Sequence, residues 1–257
     1  MKKKVVMLEV EEEHQKLKLF VYFSLRLLVI LTMIFQFFQG HYDSVMLCVL
    51  TLVLFLIPSF VERRLKIDLP NILEIIIYLF IFSAEILGEI NSFYLLFDNW
   101  DTILHTLNGF LMGAIGFALV DILNKTKPTS FQLSPIFIAL VAFCFSMTTG
   151  VVWEFFEYGM DHYFHKDMQK DTWVQSITSV EFDETRSNIP VTIPIETVEV
   201  NGQVWEKGYL DIGLIDTMGD LFVNFIGALV FSIVGFFYVK GRGSFAEKFI
   251  PKRKQEE

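Results

Sequence analysis

Apolar residues dominate six stretches of the chain, each about as long as a helix that crosses a membrane. An α-helix rises about 1.5 Å per residue, so roughly 20 residues cross the ~30 Å hydrocarbon core of a bilayer. The pattern predicts an all-α polytopic membrane protein, with six transmembrane helices in a single membrane domain, 1–257. The predicted spans are 17–38, 42–61, 70–90, 100–122, 133–160 and 212–239.

The segment between the fifth and sixth spans, about 161–211, has a different pattern. Its stretch ETVEVNGQVWEKG roughly alternates apolar and polar residues on either side of Asn201 and Gly202. Asn-Gly favours the tight two-residue turn of a β-hairpin, so we expect a small β excursion here. Pro190 and Pro194 indicate that the strand before this hairpin is an edge strand or irregular.

Lysine and arginine occur at every second link between the spans, which predicts the orientation of the chain. By the positive-inside rule these links face the cytoplasm, as do both termini, and 161–211 lies outside. We therefore expect a multi-pass membrane protein with both termini in the cytoplasm. The charged links are the N-terminal segment, the second link with Arg63, Arg64 and Lys66, the fourth with Lys125 and Lys127, and the C-terminal tail.

Composition supports membrane insertion and narrows the partners. Of the 257 residues 53% are hydrophobic and 28 are Phe, and the mean hydropathy is +0.48, which is too apolar for one soluble core. The net charge of −9 argues against nucleic acid as a partner. The expected partners are membrane lipids. Cys48 and Cys144 both lie in apolar stretches and are interpreted as small hydrophobic residues. The oligomeric state is left open.

Ionisable residues within the spans are the main functional signal. In the fourth span Asp98, Asp101, His105 and Asn108 are spaced by three and four, so they share one helix face. A membrane helix must bury such groups among partners or use them. Gly109 and the glycines that follow it, Gly113 and Gly116, predict a face of small residues for close helix packing.

The fifth and sixth spans carry carboxylates at the same expected depth. Glu154 and Glu157 lie near the outer end of the fifth span, and Asp216 and Asp220 begin the sixth. Because successive spans cross the membrane in opposite directions, the polar residues of the fourth, fifth and sixth spans all lie at the outer ends of their helices. The sequence therefore predicts one acidic site with a histidine at the outer membrane face.

One imidazole among several carboxylates suits a divalent metal, Zn, Mn or Mg. We expect Asp101, His105, Asp216 and Asp220 to bind the metal. Either Glu154 or Glu157 then serves as a general base. Such a site would polarise a phosphoryl or acyl oxygen and activate water, which predicts a metal-dependent membrane hydrolase acting on a lipid or an envelope-linked substrate.

Three motifs, DNWDTILHTLNGF, VVWEFFE and DTMGDLFVNFIGA, resemble those of the YjdF-like bacterial inner-membrane proteins and, more distantly, of VanZ-like proteins. The resemblance covers about 70–239, and its pattern residues correspond to the six site residues named above. The YjdF-like family has no known biochemical function, so the resemblance supports the site without naming a substrate. VanZ-like proteins are associated with glycopeptide resistance, and their signature has Gln where this chain has Glu157.

Two other functions fit the same residues. A proton- or ion-coupled transporter uses buried carboxylates and histidine as a relay, and it predicts a polar path that continues to the cytoplasmic side. A non-catalytic assembly protein would use the cluster only to lock helix packing, with His105 in a helix–helix hydrogen bond and some carboxyls protonated.

Overall fold

A computed structural model describes residues 2–125, 133–241 and 248–253. Within these residues six helices are long and apolar enough to cross a membrane, which confirms the predicted spans. Lys127 and most of the basic C-terminal tail, on which the predicted orientation partly depends, lie outside the described residues.

Eight α-helices are found in the described residues. The predicted second span is split, because a turn at Phe55 and Leu56 separates α2 from α3. The predicted third span begins as α4 and continues as a π-helical segment, Ser83–Ile90. The α-helices are α1 Lys2–Gln39, α2 Tyr42–Leu54, α3 Ile57–Leu65, α4 Asn71–Phe82, α5 Phe93–Leu96, α6 Trp100–Lys125, α7 Pro135–Phe164 and α8 Leu214–Val239.

Short strands form four antiparallel pairs, β1 with β8, β2 with β7, β3 with β4 and β5 with β6. The predicted hairpin is confirmed: Asn201 and Gly202 join β5 to β6 with φ of 52° and 81°, both left-handed as the tight turn requires. Pro194 ends β4, which pairs on one side only, as expected for an edge strand. The strands are β1 Ile67–Asp68, β2 Trp173–Val174, β3 Ser176–Ser179, β4 Val191–Pro194, β5 Thr197–Val200, β6 Gln203–Glu206, β7 Tyr209–Leu210 and β8 Lys252–Arg253.

The chain divides into two compact units. The first unit comprises 1–150 and 223–257, and the second comprises 151–222. Both α7 and α8 run unbroken from one unit into the other. The prediction of a single membrane domain stays a prediction.

In the first unit, glycines let α6 pack closely against its neighbours. A Cβ on Gly109 would lie 2.2 Å from the backbone oxygen of Asn224 in α8, and one on Gly116 would lie 2.8 Å from Cβ of Phe145 in α7. Neither position has room for a larger residue without backbone movement. The predicted small-residue face of α6 is therefore confirmed.

The first unit contains two apolar cores. One joins α1, α2 and α4 around Leu25, Cys48 and Tyr78. The other joins α6, α7 and α8, and it also includes Phe249 and Ile250 from the segment after α8. These two residues are buried, so the end of the chain forms part of the helical core.

A buried ion pair joins the first and third spans in the first unit. Lys18 Nζ of α1 lies 2.7 Å from Glu74 Oε1 of α4. The Tyr78 hydroxyl donates to the other Glu74 oxygen at 3.0 Å. This glutamate is thus neutralised by a cation and hydrogen-bonded, as a buried charge in a span must be.

Candidate metal centre

Three buried carboxylates meet in the second unit. Glu154 and Glu157 are one turn apart on α7, and Asp220 comes from α8. One carboxylate oxygen of each lies within 4.8 Å of the other two. The three residues are only 4%, 7% and 5% exposed. Two predicted catalytic residues and one predicted metal ligand are therefore brought together within this unit.

Asp216 lies one helical turn before Asp220 and extends this cluster. A carboxylate oxygen of Asp216 is within 4.8 Å of one of Asp220. The Oδ2 atom of Asp216 accepts a hydrogen bond from the backbone N–H of Lys170 at 2.7 Å. The half-buried Asp216 thus connects the carboxylates to the loop that follows α7.

Glu157 has a fixed orientation within the cluster. The indole of Trp153, one turn earlier on α7, donates a hydrogen bond to Glu157 Oε1 at 2.7 Å. An indole N–H can only donate, so Glu157 Oε1 is the acceptor and the carboxylate is held in one orientation. The WEFFE motif therefore supplies both an acid and the group that orients it.

Gathering these carboxylates is electrostatically costly. Two ionised groups 4.8 Å apart repel by about 3 kcal/mol at an effective dielectric constant of about 20. In a membrane protein such charges must be compensated by protons, water or a cation. The cluster is therefore suited to bind a positively charged ligand.

The separations are compatible with a bound divalent ion after a small adjustment. Oxygen ligands of Zn, Mn or Mg lie about 2.0–2.2 Å from the ion, so two of them are at most about 4.4 Å apart. The oxygens here lie within 4.8 Å of one another, so side-chain shifts of a few tenths of an ångström are enough. Carboxylate oxygens bind all three metals, and a histidine nitrogen favours Zn.

Backbone amides of the loop after α7 are held by aspartates near the cluster. Asp161 accepts from the N–H groups of Met168 at 2.6 Å and Gln169 at 2.8 Å. The side chain of Gln169 donates to the hydroxyl of Thr217 on α8. The structure thus fixes the loop to both helices that carry the carboxylates, an arrangement the sequence did not reveal because an isolated loop glutamine has no recognisable pattern.

Asp211 fixes the start of α8 in the same way. It accepts from the N–H of Thr172 at 2.7 Å and of Ile215 at 3.1 Å. The bond from Thr172 is the main reason that the pKa of Asp211 lies below its usual range. Asp211 is therefore a structural carboxylate that positions the helix of Asp216 and Asp220.

The other two predicted ligands form a pair in the first unit. His105 Nε2 lies 3.5 Å from Asp101 Oδ1, one turn earlier on α6. The His105 ring is 7% exposed. A carboxylate beside one ring nitrogen is the arrangement that orients metal-binding imidazoles in proteins.

A polar contact between α6 and α8 lies one turn from His105. Asn108 Nδ2 donates to Asn224 Oδ1 at 3.3 Å, and Asn224 Nδ2 contacts the sulfur of Met147 on α7 at 3.7 Å. Asn224 is 1% exposed. Both asparagines continue polar stripes that are visible in the sequence, but their contact could not be inferred from spacing alone.

A family model described as "Predicted membrane protein (DUF2238)" matches residues 21–241. The match includes all six predicted site residues. No curated protein and no solved structure matches the chain. The YjdF-like resemblance fits this family, whereas the VanZ-like resemblance gains no support from it.

Proposed function

Because the chain belongs to the DUF2238 family of predicted membrane proteins, whose description names no reaction, we propose its function from its buried carboxylates. The protein is a metal-dependent membrane hydrolase that acts on a lipid or an envelope-linked substrate. The observation that carries the proposal is the meeting of Glu154, Glu157 and Asp220 within 4.8 Å of one another. Three gathered carboxylates can share one positive ligand, and a divalent cation suits carboxylate oxygens.

The proposal adds His105 and Asp101 of the first unit to the carboxylates of the second. Its support is the direction of the helices within the first unit. Residues of α6 and α8 meet in rising order, Gly109 with Asn224, and Phe117 with Gly235, so these helices run the same way. His105 lies about one turn before Asn108 on α6, and Asp220 lies about one turn before Asn224 on α8.

The third helix agrees with this extrapolation. In the first unit Gly150 of α7 faces the side chain of Asn224, because a Cβ on Gly150 would lie 2.6 Å from Asn224 Nδ2. Glu154 lies one turn after Gly150 on α7, and Asp220 lies one turn before Asn224 on α8. Each of the three helices thus carries a proposed site residue one turn from its packed asparagine or glycine.

The contacts suggest a division of roles. His105, Glu154 and Asp220 hold the cation, Asp101 orients His105, and Glu157, held by Trp153, is the general base. Asp216 is held by the Lys170 amide and positions Asp220. This assignment differs from the sequence prediction in giving Glu154 a ligand role and in making Asp101 and Asp216 supporting residues.

The residues of the chain then have defined tasks in hydrolysis. A bound divalent cation supplies Lewis acidity for a phosphoryl or acyl oxygen. Glu157 accepts a proton from the attacking water, whose oxygen bonds to phosphorus or to the acyl carbon as the ester bond breaks. Glu157 then returns the proton to the departing oxygen. His105 and Asp101 stay in place as a preoriented pair.

The proposal places the site at the outer face of the bacterial cytoplasmic membrane, with both termini in the cytoplasm. Its support is the alternation of Lys and Arg between successive links. Apolar side chains, among them Phe117, Phe231 and Phe249, fill the core that α6, α7 and α8 share in the first unit. Such packing favours a site served from one face over a transport path through the bundle.

The test is the metal content of the purified full-length protein, measured by mass spectrometry after exposure to Zn²⁺, Mn²⁺ or Mg²⁺ and removal of unbound ions. We expect near-stoichiometric binding of one of these ions by the wild type. His105→Ala and Asp220→Ala should each lose the bound ion, because each removes a proposed ligand.

Asp121→Asn provides the matched control. Asp121 is a buried acid on the same helix as His105, but 16 residues farther along and so about 24 Å away. This variant should keep the ion. A wild-type protein that binds none of the three ions, or equal binding by all variants, would contradict the proposal and favour a purely structural cluster.

A further inference from the structure

An apolar cleft lies between α4 and α6 within the first unit. It has a volume of about 330 Å³, and α4 with its π-helical continuation supplies one wall, including Leu79 and Ser83. The other wall consists of α6 residues, including Trp100, Ile103 and Leu104. Seven of the eight lining residues are apolar or aromatic, so the cleft offers little to a polar ligand.

The π-helical segment and Trp100 define one end of the cleft. The helix changes from α to π at Ser83, and the Ser83 carbonyl accepts a hydrogen bond from the Trp100 indole at 3.3 Å. The Phe93 ring packs edge-on against Trp100, with ring centroids 4.9 Å apart. The two walls are thus tied together where α6 begins, and π-helical turns of this kind are frequent at functional sites.

The surroundings of the cleft determine what can fill it. Both walls belong to helices long and apolar enough to span a membrane, so the medium around them is hydrocarbon. An apolar cleft with few hydrogen-bonding groups does not hold water. Its volume is near the lower end of the range of about 300–1,000 Å³ for ligand pockets, which suits part of one acyl chain rather than a whole lipid.

The cleft is adjacent to the histidine pair on the same helix. Asp101 follows Trp100 directly, and His105 follows Leu104. Each step along a helix turns by about 100°, so Asp101 and His105 lie about a quarter turn from the cleft wall at the same height. A lipid with its chain in the cleft would have its headgroup end beside this pair.

We propose that the cleft between α4 and α6 binds an acyl chain of a bilayer phospholipid and so presents the ester groups of that lipid to the site. This proposal rests on the proposed function, because it names the phospholipid as the substrate class of the same site. The chain-binding step itself involves only the apolar walls and requires neither His105 nor a metal ion.

The test is photo-crosslinking in nanodiscs of phosphatidylglycerol that contain a small fraction of the same lipid with a diazirine in its acyl chain. Adducts on the full-length protein are located by peptide mass spectrometry. Leu104 is the diagnostic residue, because it lines the cleft and is only 6% exposed. A lipid that merely coats the protein would label exposed residues such as Leu123 and leave Leu104 unlabelled.

Two variants fill the cleft from opposite walls, Ile103→Trp on α6 and Leu79→Trp on α4. The side chains of Leu79 and Ile103 are exposed, so each position can accept an indole. Leu123→Trp is the matched control, because Leu123 is an exposed α6 residue outside the cleft. We expect Leu104 labelling in the wild type, a severalfold loss in each filled variant and no change in the control.

Unlabelled Leu104 in the wild type, or labelling that persists in both filled variants, would overturn the proposal. His105→Ala separates this result from the metal test. It should abolish ion binding while leaving Leu104 labelling intact, so either proposal can fail without the other.

Discussion

The carboxylates of the second unit fall into two groups with different partners. Those of the loop accept hydrogen bonds from backbone amides: Asp183 takes the N–H groups of Thr185, Ser187 and Ile189. The other group consists of Glu154, Glu157 and Asp220, whose carboxylates meet each other. The residue types are the same, but the first group satisfies the chain's own donors and the second concentrates like charge.

The difference teaches how to separate structural from functional acids in this protein. A carboxylate that accepts several backbone N–H bonds has its charge compensated locally and holds a turn in place. The buried pair of Lys18 with Glu74 in the first unit is compensated in another way, by a cation of the chain. Glu154, Glu157 and Asp220 instead meet one another, which is why our proposal assigns the function to this cluster.

The largest effect is expected from removing one charge of the cluster. Glu154→Gln keeps the shape of the side chain, abolishes binding of the divalent ion and relieves repulsion from Glu157 and Asp220. In chelator at pH 8 the variant should therefore unfold at a higher temperature than the wild type, with a gain on the order of 3 kcal/mol for each relieved pair. Thermal unfolding in detergent, with and without added ion, measures both effects.

The loop acid Asp183 supplies the control for this experiment. Asp183→Asn should keep the ion and should be less stable than the wild type in chelator, the opposite change. If both variants gained stability and lost the ion together, the distinction between the two groups of acids would be wrong.

A smaller effect is expected from a structural acid beside the cluster. Asp211→Ala leaves the amides of Thr172 and Ile215 without their acceptor, which should cost about 1–3 kcal/mol. Hydrogen exchange of these two amides should accelerate, as measured by mass spectrometry of the folded protein. The ion should still bind in stoichiometric amount, since Asp211 is not one of the proposed ligands.

The smallest effect should be seen on acidification. The pKa of Asp183 is lowered, mainly by the hydroxyl of Thr185 and then by backbone amides, and the pKa of Asp211 is lowered by the Thr172 amide. An aspartate whose pKa is lowered by folding stabilises the folded protein, and this contribution is complete at a pH above the ordinary pKa of about 3.9. The contribution is lost as the pH falls through the pKa of the folded state.

Asp171 should act in the opposite sense. Partial desolvation, followed by the nearby charge of Asp167, raises its pKa, so its ionised form weakens the fold at neutral pH and its protonation relieves this. The net loss of stability between pH 5 and 3, about two units around the ordinary value, should therefore be larger in Asp171→Asn than in the wild type. Fluorescence of Trp173 and Trp205, whose rings lie 6.0 Å apart, reports the transition, and unchanged emission down to pH 3 would contradict it.

The sequence was sufficient for the spans, because membrane insertion depends on long apolar runs that any window of the chain displays. It was sufficient for the hairpin, because Asn201 and Gly202 adopt positive φ at little cost. It did not reveal the π-helical segment at Ser83, a small backbone change that helical spacing does not display. The break of the second span at Phe55 has a local cause, because Pro58 in the first turn of α3 has no N–H to donate to the carbonyl of Leu54.

For the site, helical spacing alone placed Asp101 beside His105, and Glu154 beside Glu157, because residues three or four apart share a face. Only the tertiary structure brought Asp220 of α8 to the glutamates of α7, and only it showed that Asp161 and Asp211 hold a loop instead of joining them. The physical reason is that a single chain fixes which residues share a helix face, whereas contacts between helices depend on how closely they pack. In the first unit, for example, α6 approaches α8 where Gly109 lies against the backbone of Asn224, a contact between residues far apart in sequence.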